Sequence, residues 1–297
     1  MAPRAVGPVS RRQVLLGGSA FAGAVLLGAC GSDDESGEAP STTGASSELS
    51  LVQFFSGPML TAGTEVRAPF GLADAEGLLL PDATPESLTV TLLGPEGDVI
   101  DELVVARYGK GLPRGYYPLR FTVEAPGIYT GRTEVDGAAL EMAIQVDDAG
   151  DIPVIQAGAP LPAIATPTVD DARGVDPICT SDPECPLHDV TVAQALDEGR
   201  PLALLVATPA FCQVAICGPV LDVLLAVVDD HPDVGFLHAE VFVEPAKGLD
   251  AQTAAVTDLG LTFEPCLVLV GRDGRVVERL DTIYDEVELD EALTRLA

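Results

Sequence analysis

Residues 202–228 read LALLVATPAFCQVAICGPVLDVLLAVV. Leu202 to Val206 is an unbroken apolar run, short enough for a strand covered on both faces. Val220 to Val228 is almost wholly apolar and predicts a buried helix. Between them stand Cys212 and Cys217, with four residues intervening. In a regular helix such an i, i+5 pair would be turned about 140° apart and separated by roughly 8 to 9 Å at Cα, beyond the approximately 7 Å that a disulfide tolerates. Cys212 is therefore expected in the loop, or the first helical turn must unwind. A loop cysteine facing a helix N-terminus gains thiolate character from the exposed N–H groups and the helix dipole. That makes Cys212 the candidate nucleophile and Cys217 the candidate resolving thiol.

Working outward, Val192 to Glu198 predicts a short helix capped by Thr191, and Val234 to Val243 a strand. A helix from about Asp250 to Leu259 should stop at Gly260. Strand Leu267 to Val270 then turns through Arg272-Asp273-Gly274 into strand Arg275 to Leu280, since Asp-Gly between apolar runs marks a hairpin. The last helix, Glu288 to Leu296, spaces Leu289, Ala292, Leu293 and Leu296 to bury one face. After the leading helix the order is β-α-β-α-β-β-α, an α/β pattern.

That order, with a cysteine pair between the first strand and its helix and Pro265 before the hairpin, resembles the thioredoxin fold over roughly residues 158–297. The segment Gly260-Leu261-Thr262-Phe263-Glu264-Pro265-Cys266 into Leu267-Val268-Leu269-Val270 is similar to the one holding the family's cis-proline. The resemblance implies that Pro265 is cis and lies beside the cysteines. Gly158-Ala159-Pro160-Leu161-Pro162 is similar to the start of membrane-anchored thioredoxin-like and peroxiredoxin domains. The activity so implied is thiol–disulfide exchange through Cys212 and Cys217, with no cofactor and no metal. The cysteine motif departs from the family, which has two intervening residues. Thr208-Pro209-Ala210-Phe211-Cys212 with Cys217-Gly218 resembles instead a peroxiredoxin subclass, although Thr208 stands four residues before the cysteine rather than three. Arg272, Arg275 and Arg279 are the arginines such a peroxidase would draw on. A third resemblance is to copper-delivery proteins of this fold, in which two thiolates and a His bind Cu(I), a soft ion suited to sulfur. His238 would be that ligand, or a satisfied core residue.

Three cysteines remain in this half. Cys179 and Cys185 flank a short turn and are expected to form a structural disulfide. A zinc site made from these two with Cys212 and Cys217 competes, but the intervening stretches of five and four exceed the usual two. Cys266 reads as a buried small hydrophobe, or as a thiol near the redox pair because it follows Pro265.

Residues 49–148 carry a different pattern: LSLVQFF, TEVRAPFGL, SLTVTLL, DVIDELVVARY, YYPLRFTVE, GIYTGRTEV and LEMAIQV, each bounded by Gly, Pro or Asp. Such short alternating runs predict an all-β sandwich. Ala125-Pro126-Gly127-Ile128-Tyr129 resembles the late-strand corner of immunoglobulin-like domains on secreted bacterial proteins. No cysteine lies here, so the antibody-type disulfide is missing, and no cluster of His, Asp or Glu stands at ligand spacing; the expectation is a spacer or protein-docking module. A Pro- and Ala-rich connector, residues 149–178, joins the halves.

The chain opens with Ser10-Arg11-Arg12-Gln13-Val14-Leu15-Leu16, which resembles a twin-arginine export signal. Its apolar run ends in Leu27-Gly28-Ala29-Cys30, which resembles a bacterial lipobox. The run is too short to span a roughly 30 Å hydrocarbon core, so residues 1–29 read as a removable leader. Cys30 would then carry the lipid that anchors the protein outside the cytoplasmic membrane. Residues 30–48 (Cys30, then GSDDESGEAPSTTGASSE) form a polar tether. The formal charge of −30, from 16 Lys and Arg against 46 Asp and Glu, excludes a nucleic-acid partner, whose phosphates demand clustered cations. The expectation is a lipid-anchored, extracytoplasmic thiol–disulfide oxidoreductase acting on an exported protein or an electron donor. A thiol peroxidase and a non-catalytic scaffold, in which the disulfide is permanent, stand as alternatives.

Overall fold

The computed structural model describes residues 49–55, 59–80 and 85–296. The expected leader, the tether and the lipid-bearing Cys30 lie outside the described residues. Among the described residues the protein is β-rich, with three sheets and few helices.

The first lobe contains β1 (Ser50–Gln53), β2 (Glu65–Ala73), β3 (Ser87–Leu93), β4 (Val99–Ala106), β5 (Tyr117–Thr122), β6 (Gly127–Val135) and β7 (Ala138–Val146). They form two antiparallel sheets, ordered β1-β2-β5 and β4-β3-β6-β7. Period-2 alternation sets the inner face: Leu140, Met142, Ile144 and Val146 of β7 are buried while their neighbours are exposed or partly so. These residues meet Phe70, Leu92 and Leu119 in one apolar cluster. β2 departs from the alternation, being buried at every position after Glu65. Val66, Ala68 and Phe70 face the cluster, and Arg67 on the opposite face reaches the second lobe.

The second lobe runs α1 (Val192–Asp197), β8 (Leu202–Val206), α2 (Cys217–Val227), β9 (Gly235–Ala239), α3 (Ala254–Leu259), β10 (Cys266–Val270), β11 (Val276–Asp281) and α4 (Glu286–Thr294). Its sheet is ordered β11-β10-β8-β9, with β8 and β9 parallel and the other neighbours antiparallel. The unbroken apolar runs follow from burial on both faces. Leu202, Leu204 and Val206 pack with residues of α1 and α3, whereas Ala203 and Leu205 pack with residues of α2 and α4.

Thr191 and Gln194 close a capping box on α1. α2 begins at Cys217 rather than at Val220, because Pro219 is tolerated in a first turn, where its missing N–H has no intrahelical acceptor to lose. α3 ends at Gly260, whose φ of +64° is left-handed and where a Cβ would come within 2.2 Å of the Pro153 carbonyl oxygen. Only glycine fits there.

The lobes belong to one compact unit. From the outer face of β2, Arg67 enters the second lobe and grips Glu288 of α4 through Nε at 2.7 Å and Nη2 at 2.6 Å, while Nη1 donates to the Asp281 carbonyl at 3.0 Å. Tyr116 also donates to Glu288, and Arg120 bridges Glu288 and Glu278 at 2.8 and 2.7 Å. Burial alone would raise the Glu288 pKa, but the facing guanidiniums and the Tyr116 hydroxyl hold it down at about 2. Asp285 caps α4 through Glu288 N and also accepts the amides of Gly109 and Lys110 from the first lobe. An intact buried pair of this kind adds little net stability, whereas removing one partner strands the other charge.

Candidate functional site

Strand register gathers the chemistry at one end of the second lobe's sheet. Val206 pairs with both Ala239 and Cys266, so the segments following β8 and β9 and the segment preceding β10 emerge together. This edge carries the loop with Cys212, the buried Glu240, and Glu264-Pro265.

Cys212 and Cys217 form a disulfide, with Cα atoms 6.0 Å apart. Cys212 follows a 3-10 turn, Pro209–Phe211, in extended conformation, while Cys217 is the first residue of α2. The loop position expected of Cys212 is the observed one, which keeps the pair within bonding reach. Their environments differ. Cys212 is half-buried among the exposed Phe211, Gln213 and Val214, whereas Cys217 is fully buried. The Glu264–Pro265 peptide is cis. Glu264 accepts from the Thr208 amide at 2.8 Å, and its Oε2 lies 3.6 Å from Cys217 Sγ. Burial raises the Glu264 pKa above the usual carboxyl range, against the hydrogen bond from Thr208.

The arginines of the peroxidase reading lie elsewhere. Arg272 occupies the β10–β11 turn, at the opposite end of β10 from Pro265. Arg275 donates to the Gly158 carbonyl at 2.6 Å, and Arg279 pairs with Asp281 at 2.8 Å. Thr208 is fully buried, and its hydroxyl accepts from the Val241 amide at 2.9 Å. Cys266 is also fully buried, with Sγ 3.3 Å from Asp281 Oδ1, and burial pushes its thiol pKa up.

The expected Cys179–Cys185 disulfide requires correction: both are free thiols. The reason is a second pair of side chains. The irregular segment before α1 lies along the open edge of β9, where the His238 amide donates to the Leu187 carbonyl at 3.0 Å. This delivers Cys179, Cys185 and His188 to His238. Cys185 Sγ is 3.2 Å from His188 Nε2 and 3.4 Å from His238 Nδ1, and Cys179 Sγ is 3.8 Å from His238 Nδ1. The four donor atoms all lie within 4.8 Å of one another, and all four residues are buried. The Cys179 thiol pKa is drawn down, first by its hydrogen bond from Cys185 and also by the two imidazoles. His238 thus neighbours Cys179 and Cys185 and not the Cys212–Cys217 pair that the copper-delivery resemblance assigned to it.

The two centres touch through short connections. Thr180, next to Cys179, donates its amide to Glu240 at 2.6 Å, and its hydroxyl accepts from Ala210 N at 3.2 Å, just before Cys212. His238 Nε2 meets the Ala207 carbonyl at 3.0 Å, one residue before Thr208. Sequence reasoning left His188, Glu240 and Glu264 unassigned. A Cys-x2-His spacing at Cys185 and His188 was the available signal for the first, and nothing in sequence marked the carboxylates for burial.

No family model matches the chain, and no curated protein matches it. Among solved structures, the crystal structure of Salmonella alpha-2-macroglobulin reacted with methylamine aligns with 41% of this chain at 20% identity and a TM-score of 0.27. The chain spans 7% of that protein's length. A likeness of that order carries no argument about fold or function.

Proposed function

We propose that this chain is an extracytoplasmic thiol–disulfide oxidoreductase of thioredoxin-like type, held to the membrane by lipid on Cys30 and carrying an immunoglobulin-like first lobe. The observation that carries the reading is the asymmetry of the Cys212–Cys217 pair. One cysteine is half-buried in a loop, and the other is fully buried at the start of a helix with its sulfur 3.6 Å from a carboxylate. The four-stranded sheet, with its cysteine pair between β8 and α2 and Pro265 ahead of β10, supports the fold assignment.

In the reducing direction the Cys212 thiolate attacks one sulfur of a substrate disulfide, forming a mixed disulfide and expelling the other sulfur as a thiolate that takes a proton from solvent. Glu264 then accepts the proton of the Cys217 thiol. The Cys217 thiolate attacks Cys212 Sγ, restores the Cys212–Cys217 disulfide and expels the second substrate sulfur as a thiolate, which takes a proton from solvent as Glu264 returns its own to solvent. Two electrons pass to the substrate, and a partner dithiol protein returns them by the reverse steps. Solvent-exposed Phe211 and Val214 beside Cys212 offer an apolar rim for an extended substrate chain. Opposite-direction chemistry uses the same groups, its direction set by the reduction potential.

The peroxidase alternative loses support because none of its candidate arginines lies at the Cys212 loop. The deciding experiment traps the reaction at Cys212. Cys217→Ser should accumulate a mixed disulfide between Cys212 and an exported protein. Rapid sulfenic acid formation with peroxide would instead support the peroxidase. If neither adduct forms and Cys212 of the reduced protein resists alkylation, the pair is a permanent structural bond and the scaffold reading replaces catalysis.

A further inference from the structure

We infer that Cys179, Cys185, His188 and His238 bind a tetrahedral zinc-class divalent ion, in a centre separate from the Cys212–Cys217 disulfide and independent of its redox reading. Two thiolates and two imidazoles are a ligand set that zinc takes in closed structural sites. The geometry is quantitative. With Zn–S near 2.3 Å and Zn–N near 2.0 to 2.1 Å in a tetrahedron, S···N edges come to about 3.5 Å and the S···S edge to about 3.8 Å. Three of the four S···N separations here are 3.2, 3.4 and 3.8 Å, and all four donor atoms lie within 4.8 Å of one another.

The orientation of His238 is the second, independent observation. The Ala207 carbonyl can only accept, so His238 Nε2 carries the proton it receives, and the Nδ1 lone pair points at the sulfurs. A ligating histidine is typically held in this way by an outer backbone carbonyl that fixes its tautomer. The Cys185 amide likewise donates to Cys179 Sγ at 3.4 Å, a bond that supports a thiolate. Glu240 clamps Thr180 through its amide and hydroxyl, at 2.6 and 3.2 Å, which fixes the loop carrying Cys179.

The competing state is a Cys179–Cys185 disulfide. It would remove both S–H groups and leave the buried His238 Nδ1 facing sulfur without a donor, an uncompensated polar group. A cation satisfies both sulfurs and both nitrogens together. At 3%, 7%, 3% and 2% exposure respectively, Cys179, Cys185, His188 and His238 leave no open position for substrate, so the ion would order the loop rather than react.

The test is Co(II) titration of the reduced full-length chain, followed by Zn(II) displacement. The expected result is one Co(II) per chain, with the intense visible bands of tetrahedral coordination and a sulfur-to-cobalt charge-transfer band, both lost on adding one equivalent of Zn(II). Bound Zn(II) should protect Cys179 and Cys185, but not Cys212, from alkylation, and Cys185→Ser should roughly halve the charge-transfer band. If that variant does not fold, the titration and protection pattern of the unaltered chain decide alone. The inference is overturned if the reduced chain takes up no Co(II), if the cobalt spectrum is octahedral, if Cu(I) binds while Co(II) and Zn(II) do not, or if peptide mapping of the purified chain finds Cys179 joined to Cys185.

Discussion

Two sulfur centres lie toward one end of one sheet, linked through Thr180, and their surroundings separate their chemistry. Around Cys212 stand the exposed Phe211, Gln213 and Val214, and a carboxylate lies 3.6 Å from the sulfur of its partner Cys217. Around Cys179 and Cys185 the neighbours are imidazoles, and everything is enclosed. A carboxylate beside a buried thiol can move a proton, whereas imidazole lone pairs beside thiols can share a cation. Accessibility reinforces the split, because thiol exchange requires a sulfur that a partner can reach. Sequence separated an exchanging pair from a structural one, but it did not show that the second pair faces His188 and His238.

The largest effect that could break this contrast is at Cys212. Cys212→Ser should reduce disulfide-reductase turnover, measured with an insulin substrate, to the uncatalysed background while the protein remains folded by circular dichroism. Retained turnover would move the active thiol to the other centre and end the contrast.

A change in neither centre provides the scale for global loosening. Glu288→Gln leaves Arg67 without its charged partner inside the lobe interface and should cost about 3 to 5 kcal/mol of stability, read by urea denaturation. The unaltered protein should show the matching acid dependence. Because the folded Glu288 pKa is lowered from 4.5 to about 2, its contribution is complete above the unfolded value and is lost as pH falls from 4.5 toward 2. A stability profile flat across that window would show that Glu288 is not held in its ionised form.

Glu264→Gln should slow the resolving step by about 10²-fold near neutral pH without slowing alkylation of reduced Cys212. In the unaltered protein that step should decline as pH falls through the raised Glu264 pKa, and the variant should lose this acid limb. If the variant keeps the limb, Glu264 positions Thr208 and transfers no proton.

What the sequence revealed followed from local periodicity. Leu202 to Val206 reads as a doubly buried strand because alternate residues enter two apolar clusters, and nothing distant is needed to see it. The Cys212 loop was legible because helix geometry forbids the i, i+5 bond. The start of α2 was not, since Gly218-Pro219 looks like a break although the first turn tolerates it. The imidazole–thiol cluster was hidden for another reason: His238 reaches it through strand register and Cys179 through a long irregular segment. Arg67, alone in the apolar run of β2, was the trace of the lobe interface, but its partner Glu288 lies far along the chain.

The smallest expected effect asks whether the two centres are independent. Thr180 touches both: its hydroxyl contacts Glu240 Oε2 at 3.2 Å on the side of the imidazole–thiol cluster and accepts from Ala210 N on the side of the Cys212 loop. Thr180→Val keeps the β-branched shape and the Thr180 backbone bond to Glu240, and removes only the hydroxyl. Ala210 is exposed, so its amide can turn to water, whereas the buried Glu240 Oε2 loses a donor, and the stability cost should be about 1 to 3 kcal/mol. With that tether gone, the turn ahead of Cys212 is freer, and alkylation of reduced Cys212 should accelerate several-fold. Co(II) uptake at the other centre should keep its stoichiometry, because none of the four ligands is altered. An unchanged Cys212 rate would mean that the Thr180 hydroxyl does not restrain the loop. A loss of Co(II) uptake would mean that the centres form one folding unit, so that the contrast in their chemistry rests on a shared support.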